Sequence, residues 1–470
     1  MRSVPITRRA ALVASGCGLA EWWGAPHAVA AESTVPGPAA TARSTILFFL
    51  CGGASHIDTW DMKPHAPSEI RGEFQPIDTA APGVRLCEHL PLLARQAQHL
   101  AVVNSVDGSD PTNSHLAYYY HLTGHTLDAS FVALGGNRRQ QPDDWPFMGS
   151  VVGSRLPPHP DLPNAISLPW IPEGPPDIRA GQHAGRLGVE HDPLYVLGSQ
   201  EQPLRFQAPA LVLEGPLTPA RVDDRRELLA TLDRSRGELE RFAATQAWRR
   251  HQTRAFSLLT SSRTLRAFDV ASEPAALRAR YGETANGMSL LLARRLVEAQ
   301  VPFVTVFWMP NKKAAEEHKC SSAGGWDTHG NNFHCLKNLL LPEFDRGFSA
   351  LLEDLADRAL LDTTLLLVTS EMGRQPKIGD PRTGGAAGAG RDHWTYCLTD
   401  LFAGGGIRGG RTFGASDRQG AYPSDRRVTP ADITKTVYRA MGLHDLSAVD
   451  NQNRPYHLLE EGTAINDLFA

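Results

Sequence analysis

Short, uninterrupted apolar runs recur along the chain, separated by stretches with the spacing of helices. The clearest runs are Thr45–Leu50, Leu100–Asn104, Pro302–Trp308, Thr363–Thr369 and Tyr396–Phe402. Runs of this length, bounded by glycine or polar turns, are typical of parallel strands that are buried on both faces. Because such strands alternate with helices, the pattern predicts an α/β fold of three layers, in which helices flank both faces of a mostly parallel sheet.

Helical patterns account for much of the remaining chain. They occur at Ser114–Leu122, 217–300 and Phe333–Leu360. Residues 133–215 are instead rich in proline and glycine, a composition typical of loops. We therefore predict one large domain over residues 44–470, with a loop-rich and helical insertion at about 133–300. A domain of this length can bury a large apolar core.

The N-terminal segment differs from everything that follows it. Arg8–Arg9 is a pair of arginines, Ala10–Ala20 is apolar and uncharged, and Ala28–Ala30 is a small-residue cleavage pattern. These are the parts of a secretory signal, and the paired arginines indicate the twin-arginine route. We therefore predict a signal peptide over residues 1–30, a flexible leader over 31–43, and a mature protein that is periplasmic or extracellular. The apolar part is shorter than the 20 or so residues that a membrane span needs, and no other segment is long and apolar enough.

Charge and cysteine content narrow the choice of partners. The net charge of −4 favours neither nucleic acid nor anionic lipid as a partner. Cleavage of the signal would remove one of the 6 cysteines. An odd number would remain, which implies at least one free thiol or an intermolecular bridge. The oligomeric state is not predictable from these features.

Polar loops that follow the predicted strands carry an unusual share of the aspartate, glutamate and histidine. Four such loops are Gly52–Asp61, Trp326–His329, Ser370–Arg374 and Gly390–Trp394. Ligands of open α/β sheets bind outside the carboxyl ends of the strands, so we expect these loops to meet. Mixed oxygen and nitrogen donors suit zinc, manganese or iron, whereas all-oxygen sites suit calcium or magnesium. The pattern alone leaves a metal site and ordinary hydrogen-bonded turns equally open.

Several longer motifs resemble one bacterial family of exported, sulfatase-like proteins that carries a domain of unknown function. They are Gly52–Pro64, Ile70–Phe74, Leu122–His125, Ala293–Glu298, Gly325–His329, Glu371–Pro376, Gly390–Trp394, Ala403–Gly410 and Gly414–Arg418. The resemblance covers about residues 44–468. The family is similar to the alkaline phosphatase superfamily of phosphatases, sulfatases and phosphomutases. This resemblance implies an alkaline-phosphatase-like fold and a divalent metal cofactor.

The superfamily resemblance also implies a nucleophile. Its enzymes attack a phosphate or sulfate ester with serine, threonine or formylglycine beside one or two divalent metals. In sulfatases this residue precedes a Leu-Thr-Gly tripeptide by eight positions, and Leu122–Gly124 therefore points to Ser114 as the catalytic residue. A metal would lower the pKa of the Ser114 hydroxyl and polarise the ester; the alternative, a simple helix cap, stays open. Leu116 and Tyr118 stand where formylglycine formation requires other residues, which disfavours a true sulfatase.

The remaining site residues follow from the resemblance more loosely. The implied metal ligands are Asp58, Asp61, Asp327, His329, Glu371, Asp392 and His393. Met372 stands where the superfamily has an imidazole, so one of two metal sites is expected to be incomplete. The residues assigned to substrate binding are His56, His115, Arg374 and Arg391. The two arginines could hold an anion bidentately or form structural ion pairs.

Three hypotheses about function follow. The first is an exported, metal-dependent hydrolase of phosphate or sulfate esters, with zinc, manganese, iron or calcium as the metal and an anionic small molecule or polysaccharide ester as the substrate. The second is a non-catalytic binding or assembly protein that retains the fold, which the departure at Met372 favours. The third is a protein in which calcium only ties the loops together. The sequence identifies neither the substrate nor the metal.

Overall fold

An eight-stranded β-sheet is the scaffold of the protein. The computed structural model describes residues 39–109, 112–134, 138–172, 179–208, 262–320, 322, 324–379, 388–450 and 454–469. The predicted signal peptide, most of the leader and residues 209–261 of the predicted insertion lie outside the described residues. Among the described residues, no helix has the length and apolar character needed to cross a membrane.

Five strands of the eight-stranded sheet lie at the apolar runs of the sequence, and the other three were not predicted. The strands are, in chain order, β1 (Ser44–Phe49), β2 (Pro76–Asp78), β3 (Arg85–Cys87), β4 (Leu100–Val106), β5 (Ala165–Leu168), β6 (Leu194–Tyr195), β7 (Phe303–Phe307), β8 (Thr364–Thr369), β9 (Gly373–Arg374), β10 (His393–Trp394), β11 (Leu398–Ala403), β12 (Arg411–Phe413), β13 (Ala415–Ser416), β14 (Pro423–Asp425), β15 (Ser447–Val449) and β16 (Pro455–His457). The main sheet has the order β12-β4-β11-β8-β1-β7-β5-β6, and the other strands form two-stranded ribbons.

All neighbouring strands of the main sheet are parallel except where β11 is involved. β11 runs antiparallel to both β4 and β8, whereas β1 is parallel to β7 and β8. The predicted mostly parallel sheet is therefore confirmed. Because β1, β4, β7 and β8 run in one direction, their carboxyl ends meet at one edge of the sheet. The reversed strand β11 begins at that same edge, so the loop before it joins the others there.

Helices cover both faces of the sheet. They are, in chain order, α1 (Ser68–Arg71), α2 (Pro91–Arg95), α3 (Tyr118–Thr123), α4 (Ala129–Leu134), α5 (Met148–Arg155), α6 (Ser262–Phe268), α7 (Ala275–Tyr281), α8 (Ala285–Glu298), α9 (Lys312–Glu317), α10 (Asn332–Cys335), α11 (Leu341–Asp357) and α12 (Pro430–Ala440). A π-helical segment, Leu336–Leu340, joins α10 to α11. The helix predicted from Ser114 begins as a tight turn, His115–Ala117, before it continues as α3.

Each face of the sheet packs against its own apolar core. On β1, Ile46 and Phe48 belong to one core, and Leu47 and Phe49 belong to the other. Residues of α8 and α11 fill the first core, and residues of α5 and α12 fill the second. Side chains of a strand alternate between the two faces, so a strand covered on both sides must be apolar throughout. The predicted three-layer arrangement is confirmed. Burial on both faces makes these strands apolar throughout, which is why the sequence pattern predicted them.

One aromatic side chain of the first core supports two of the polar loops. Phe344 of α11 stacks on Phe48 of β1 at a centroid distance of 5.8 Å. Its ring also contacts Trp60, at 5.5 Å, and Trp326, at 5.8 Å. Trp60 lies in the loop after β1, and Trp326 directly precedes Asp327. Packing against the apolar core therefore fixes the position of these two loops relative to the sheet.

Candidate metal centre

Three histidines and three carboxylates meet at the carboxyl edge of the sheet. The loops that bring them together follow β4, β7 and β8 or precede β11. The members are His115, Asp327, His329, Glu371, Asp392 and His393. We call this group the edge cluster. Five of these six residues were predicted metal ligands, and His115 was predicted to bind substrate.

The centre of the edge cluster is one oxygen of Asp327. Its Oδ1 lies 2.8 Å from Nε2 of His329 and 3.2 Å from Nε2 of His393. The two imidazole nitrogens are themselves 3.0 Å apart. Ligands about 2.0–2.1 Å from a tetrahedral zinc ion are separated from each other by about 3.3 Å. The three atoms therefore form a triangle of nearly the size that a bound transition-metal ion requires.

The donors of the edge cluster form two overlapping triplets. His115, Asp327 and His393 offer ligand atoms within 4.8 Å of one another, and so do His329, Asp392 and His393. Because His393 belongs to both triplets and a neutral imidazole binds one ion, the two triplets describe one candidate site rather than two. Imidazole and carboxylate together suit zinc, manganese and iron, whereas calcium prefers oxygen donors. The donor set therefore favours a transition metal over calcium.

The protonation states of the cluster also suit a cation. Burial raises the pKa of the Asp327 carboxyl, but hydrogen bonds from His115, His329 and His393 outweigh it and leave the pKa well below the usual range. Burial lowers the pKa of His393 despite its hydrogen bond with Asp327. An ionised carboxylate and a neutral imidazole are the forms that bind metal. At neutral pH Asp327 is therefore a carboxylate and His393 is a neutral imidazole, and both forms can bind a metal ion.

Glu371 orients His115 rather than facing the centre of the cluster. Its Oε1 lies 2.8 Å from Nδ1 of His115, and both carboxylate oxygens accept from the backbone N–H of Gly52, at 2.9 and 3.1 Å. Burial raises the pKa of Glu371, but the hydrogen bond and charge of His115 lower it below its usual value. Such a carboxylate fixes the orientation of the imidazole, so that Nε2 faces Asp327 at 3.4 Å.

Gly52 must be a glycine for this contact to form. Its φ is +118°, a conformation that other residues rarely adopt. A Cβ atom at this position would lie 2.4 Å from the backbone nitrogen of Asp327. The loop after β1 can therefore approach Glu371 and Asp327 closely only without a side chain here.

Asp58 and Arg391 form a buried ion pair outside the edge cluster. Arg391 donates from Nε and Nη2 to the two oxygens of Asp58, each at 2.8 Å, and both side chains are fully buried. Ser55 and Asn332 donate to the same carboxylate, at 2.7 and 2.9 Å. The sequence suggested Asp58 as a metal ligand and Arg391 as either a substrate contact or one half of a structural ion pair. In the structure the two charges satisfy each other, so the geometry of Arg391 is that of the ion pair.

Two further predicted residues also lie outside the edge cluster. Asp61, predicted as a ligand, accepts from Lys63 at 2.8 Å and from Ser416. His56, predicted to bind substrate, is fully buried, and its Nε2 lies 2.8 Å from the carbonyl oxygen of Gly420. Burial lowers the pKa of His56, so its ring is neutral. The structure therefore gives Asp61 and His56 partners within the scaffold and does not bring them to the metal ligands.

Arg374 connects the loop after β1 to the loop that carries Asp327. Its side chain has no solvent exposure, and its Nε donates to the carbonyl oxygen of Gly53 at 2.8 Å. Its Nη2 donates to Gly52, Trp326 and Asp327. We predicted that Arg374 binds substrate or forms a structural ion pair; the geometry is that of the ion pair, with Asp327 as the partner.

Ser114 lies beside the edge cluster and caps the turn that presents His115. Its hydroxyl accepts from the backbone N–H of Leu116 at 3.2 Å and lies 2.6 Å from the hydroxyl of Thr112. The neighbouring Asn113 accepts from the backbone N–H of Thr395 at 2.9 Å. This contact ties the loop after β4 to the loop before β11. Ser114 therefore acts as a cap, which is compatible with a second role as a nucleophile.

A cavity that no sequence pattern predicted is lined in part by Ser114 and His115. Its volume is about 310 Å³. Its lining residues are Thr112, Ser114, His115, Leu116, Tyr118, Tyr119, Phe131, Val132, Arg138, Arg179 and Ala180. Several come from the proline- and glycine-rich segment 133–215, where no periodic pattern marks individual residues. An arginine in such a segment carries no signal of its own until the fold places it.

One disulfide brackets the loop that carries Asp327 and His329. Cys320 and Cys335 are bonded, with a Cα–Cα distance of 5.8 Å. Cys51, Cys87 and Cys397 are free thiols. The bond joins the turn after α9 to α10, so it limits the separation of the two ends of this loop. Burial raises the pKa of the Cys87 thiol to about 12, which leaves it unreactive at neutral pH.

Removal of the buried arginine tests the assignment of the Asp58–Arg391 pair. We expect Arg391→Met to lower the free energy of unfolding by about 3–5 kcal/mol, because it leaves the Asp58 charge buried without its partner. The Asp58→Leu/Arg391→Met double variant is expected to recover part of this loss. Urea unfolding followed by tryptophan fluorescence measures both. An unchanged midpoint for the single variant, together with weaker binding of a substrate anion, would instead restore Arg391 as a substrate contact.

The pH dependence of stability tests the role of His115 as a ligand. Burial lowers the pKa of His115, but hydrogen bonds with Asp327 and Glu371 outweigh it and raise the pKa above 6.5. In chelated protein, the protonated imidazole therefore contributes stability that is full below the unfolded pKa of about 6.5 and is lost as pH rises through the folded pKa. Metal binding requires the neutral ring, so added zinc must compete with this proton.

We therefore expect the gain in melting temperature on zinc addition to grow from about pH 6 to about pH 8. Thermal unfolding with zinc or with EDTA across this range measures the gain. His115→Gln should flatten the dependence, whereas His318→Gln, an alteration of a histidine outside the cluster, should not. A gain that is independent of pH in the unaltered protein would exclude His115 as a ligand.

Comparisons with known proteins place the chain in a family. Similar solved structures are the PsFucS1 sulfatase from Pseudoalteromonas sp. (12% identity, 94% of this chain and 73% of that chain, TM-score 0.38) and the phosphonate monoester hydrolase SpPMH from Silicibacter pomeroyi (11%, 91% and 76%, 0.40). These TM-scores describe a distant likeness. A search of curated proteins found no match. Residues 42–469 match the family described as "Protein of unknown function (DUF1501)", and the chain therefore belongs to that family.

Proposed function

We propose that this protein is a metal-dependent hydrolase of phosphate or sulfate esters. The observation that carries the proposal is the triangle formed by Asp327 Oδ1 and the Nε2 atoms of His329 and His393, with sides of 2.8–3.2 Å. The triangle lies at the carboxyl edge of the sheet, beside a serine and a cavity. The donors keep side-chain exposures of 13–32%, so a substrate can reach them from solvent.

The protein's own residues prepare this site for an anionic ester. A bound divalent ion would polarise an ester oxygen and lower the pKa of a nucleophilic hydroxyl or water. Arg374 keeps Asp327 ionised and in place, and Glu371 keeps Nε2 of His115 directed at Asp327. These two buried groups contact the ligands rather than the substrate. They are therefore positioning residues, of the kind whose loss weakens metal affinity about 10- to 100-fold.

Ser114 is the proposed nucleophile. It precedes His115 in the chain, and both residues line the cavity. The backbone N–H of Leu116 donates to Ser114 Oγ, so this contact would stabilise negative charge as the hydroxyl loses its proton. A water molecule in the same position could replace the serine. A variant without the hydroxyl separates these two mechanisms.

A second candidate function is a binding protein that retains the fold. The observation that favours it is Met372, which is fully buried beside Gly53 and supplies no ligand. The edge cluster therefore lacks one imidazole that the superfamily resemblance led us to expect. Metal binding without turnover of any ester would support this reading.

We also propose that the protein acts outside the cytoplasm. The support is the sequence pattern of residues 1–30 and the Cys320–Cys335 disulfide, since disulfides persist in oxidising compartments. Replacement of Arg8 and Arg9 by lysine is expected to retain the protein in the cytoplasm, which cell fractionation would show. Unimpaired export of that variant would contradict the twin-arginine route.

The decisive experiment measures metal content and turnover in the same preparations. The unaltered protein is expected to bind near-stoichiometric zinc, manganese or iron and to hydrolyse at least one of an aryl phosphate, an aryl phosphodiester and an aryl sulfate. Asp327→Asn should lower both metal affinity and turnover by about 100-fold or more, since it removes the shared charged ligand. Asp357→Asn is the matched control, because Asp357 is an exposed carboxylate on α11.

Ser114→Ala distinguishes the nucleophile from the cap. As a nucleophile, Ser114 is needed for turnover but not for metal binding, so turnover should fall about 1000-fold or more with metal content unchanged. As a cap alone, its loss should cost about 1 kcal/mol of stability and leave turnover nearly intact. No metal after reconstitution, or full activity in Asp327→Asn, would overturn the proposed function.

A further inference from the structure

Ser114 lies between two residues that are attached to the edge cluster. His115, on one side, is a member of the cluster. Asn113, on the other side, is bonded to the backbone on both sides of Trp394, the residue that follows the ligand His393. The contacts of His115 are explained by its role as a metal ligand. The contacts of Asn113 require a separate explanation, because its side chain belongs to neither triplet of metal ligands.

The side-chain amide of Asn113 matches the backbone groups that it contacts. Its Nδ2 donates to the carbonyl oxygen of His393 at 3.2 Å, and its Oδ1 accepts from the backbone N–H of Thr395 at 2.9 Å. The hydroxyl of Thr395 donates to the same Oδ1 at 3.1 Å. A carbonyl oxygen only accepts and a backbone N–H only donates, so these contacts fix which end of the amide faces which group. The protein itself therefore uses both ends of this amide.

The backbone conformation of Asn113 further restricts which residue can stand there. Its φ is +47°, a region that asparagine and glycine adopt more readily than other residues. Glycine would satisfy the backbone but has no amide. The partner Thr395 is fully buried, and the backbone N–H of Gly108, earlier in the same loop, donates to its carbonyl oxygen at 3.0 Å. The loop after β4 is thus bonded to both polar groups of the Thr395 backbone.

We infer that Asn113 is a positioning residue that holds the Ser114 hydroxyl at a fixed place relative to His393. Ser114 is the next residue in the chain, and its hydroxyl caps the turn His115–Ala117, so a shift of Asn113 moves the hydroxyl with it. The position of a reacting group matters strongly, since an error of about 1 Å can cost about 100-fold in rate. The inference rests on the proposed function, in which Ser114 is the nucleophile.

Asn113→Gly tests the inference because it permits the positive φ and removes only the amide. We expect kcat to fall about 10- to 100-fold, with KM and metal affinity changed less than about threefold, since the amide contacts backbone rather than a ligand side chain. Steady-state kinetics and competition with a chelator measure these quantities. In the Ser114→Ala background, Asn113→Gly should cause no further loss, because the group that it positions is already absent.

Gln300→Gly is the matched control. Gln300 also carries an amide at positive φ, +70°, but it is exposed at the end of α8. Its replacement should leave kcat unchanged. Thr395→Val is a milder test, because it removes the hydroxyl donor to Asn113 and keeps the backbone N–H. It should lower kcat about 2- to 5-fold, and it should add nothing to Asn113→Gly.

Hydrogen–deuterium exchange tests the same contact without turnover. In chelated protein, Asn113→Gly should speed exchange about 5- to 10-fold in peptides that cover residues 107–118 and 391–398, whereas Gln300→Gly should not. Unchanged exchange in both peptides would overturn the inference. Equal losses of turnover and metal affinity would also overturn it, as would a further loss of turnover in the Ser114→Ala background. Where the unaltered protein hydrolyses no ester, the proposed function fails, and faster exchange in Asn113→Gly still supports the role of Asn113 in holding the turn.

Discussion

The site depends on one buried charge, the guanidinium of Arg374. It donates to the loop after β1 at Gly52 and Gly53, to the loop after β7 at Trp326 and Asp327, and to the loop before β11 at Arg391. A buried cation costs several kcal/mol of desolvation unless its donors are satisfied. Here four carbonyl oxygens and one carboxylate satisfy them. Because the acceptors belong to different loops, the arginine is stable only when those loops are assembled, and the same assembly brings the metal ligands together.

A comparison of Arg391 with Arg374 shows which carboxylate has a structural role and which can bind a metal ion. Arg391 binds both oxygens of Asp58, so that charge is not available to an ion. Arg374 contacts only Oδ1 of Asp327, the oxygen that also faces His329 and His393, and leaves Oδ2 facing His115. The bidentate geometry of Arg391 neutralises its partner completely. The one-sided contact of Arg374 keeps its partner ionised and able to bind further cations. Two similar ion pairs therefore have opposite consequences for function.

The fold could be predicted from the sequence, but only part of the site could. β1 and β8 could be predicted because burial on both faces makes them apolar throughout. Asp327, His329 and His393 could be predicted to meet because they follow or precede strands that end at one edge. The ion pair of Asp58 with Arg391 could not be predicted, because it depends on the path of a loop whose turns have no periodicity. Arg179 and the cavity that it lines could not be recognised, since an arginine in an irregular segment has no periodic pattern to mark it.

The donors that remain after these pairings decide which metal the site suits. Asp58 is occupied by Arg391, and both oxygens of Glu371 are occupied by the backbone of Gly52. Asp61 is likewise bound to Lys63 and Ser416, so three of the five carboxylates expected around the ion are removed from its first coordination shell. The donors left are three imidazoles, Asp327 and Asp392. A set this rich in nitrogen binds calcium and magnesium poorly, because hard cations prefer oxygen. The site therefore favours zinc, manganese or iron for two reasons. Asp58 and Glu371 are bound elsewhere in the protein, and histidines supply most of the donors that remain.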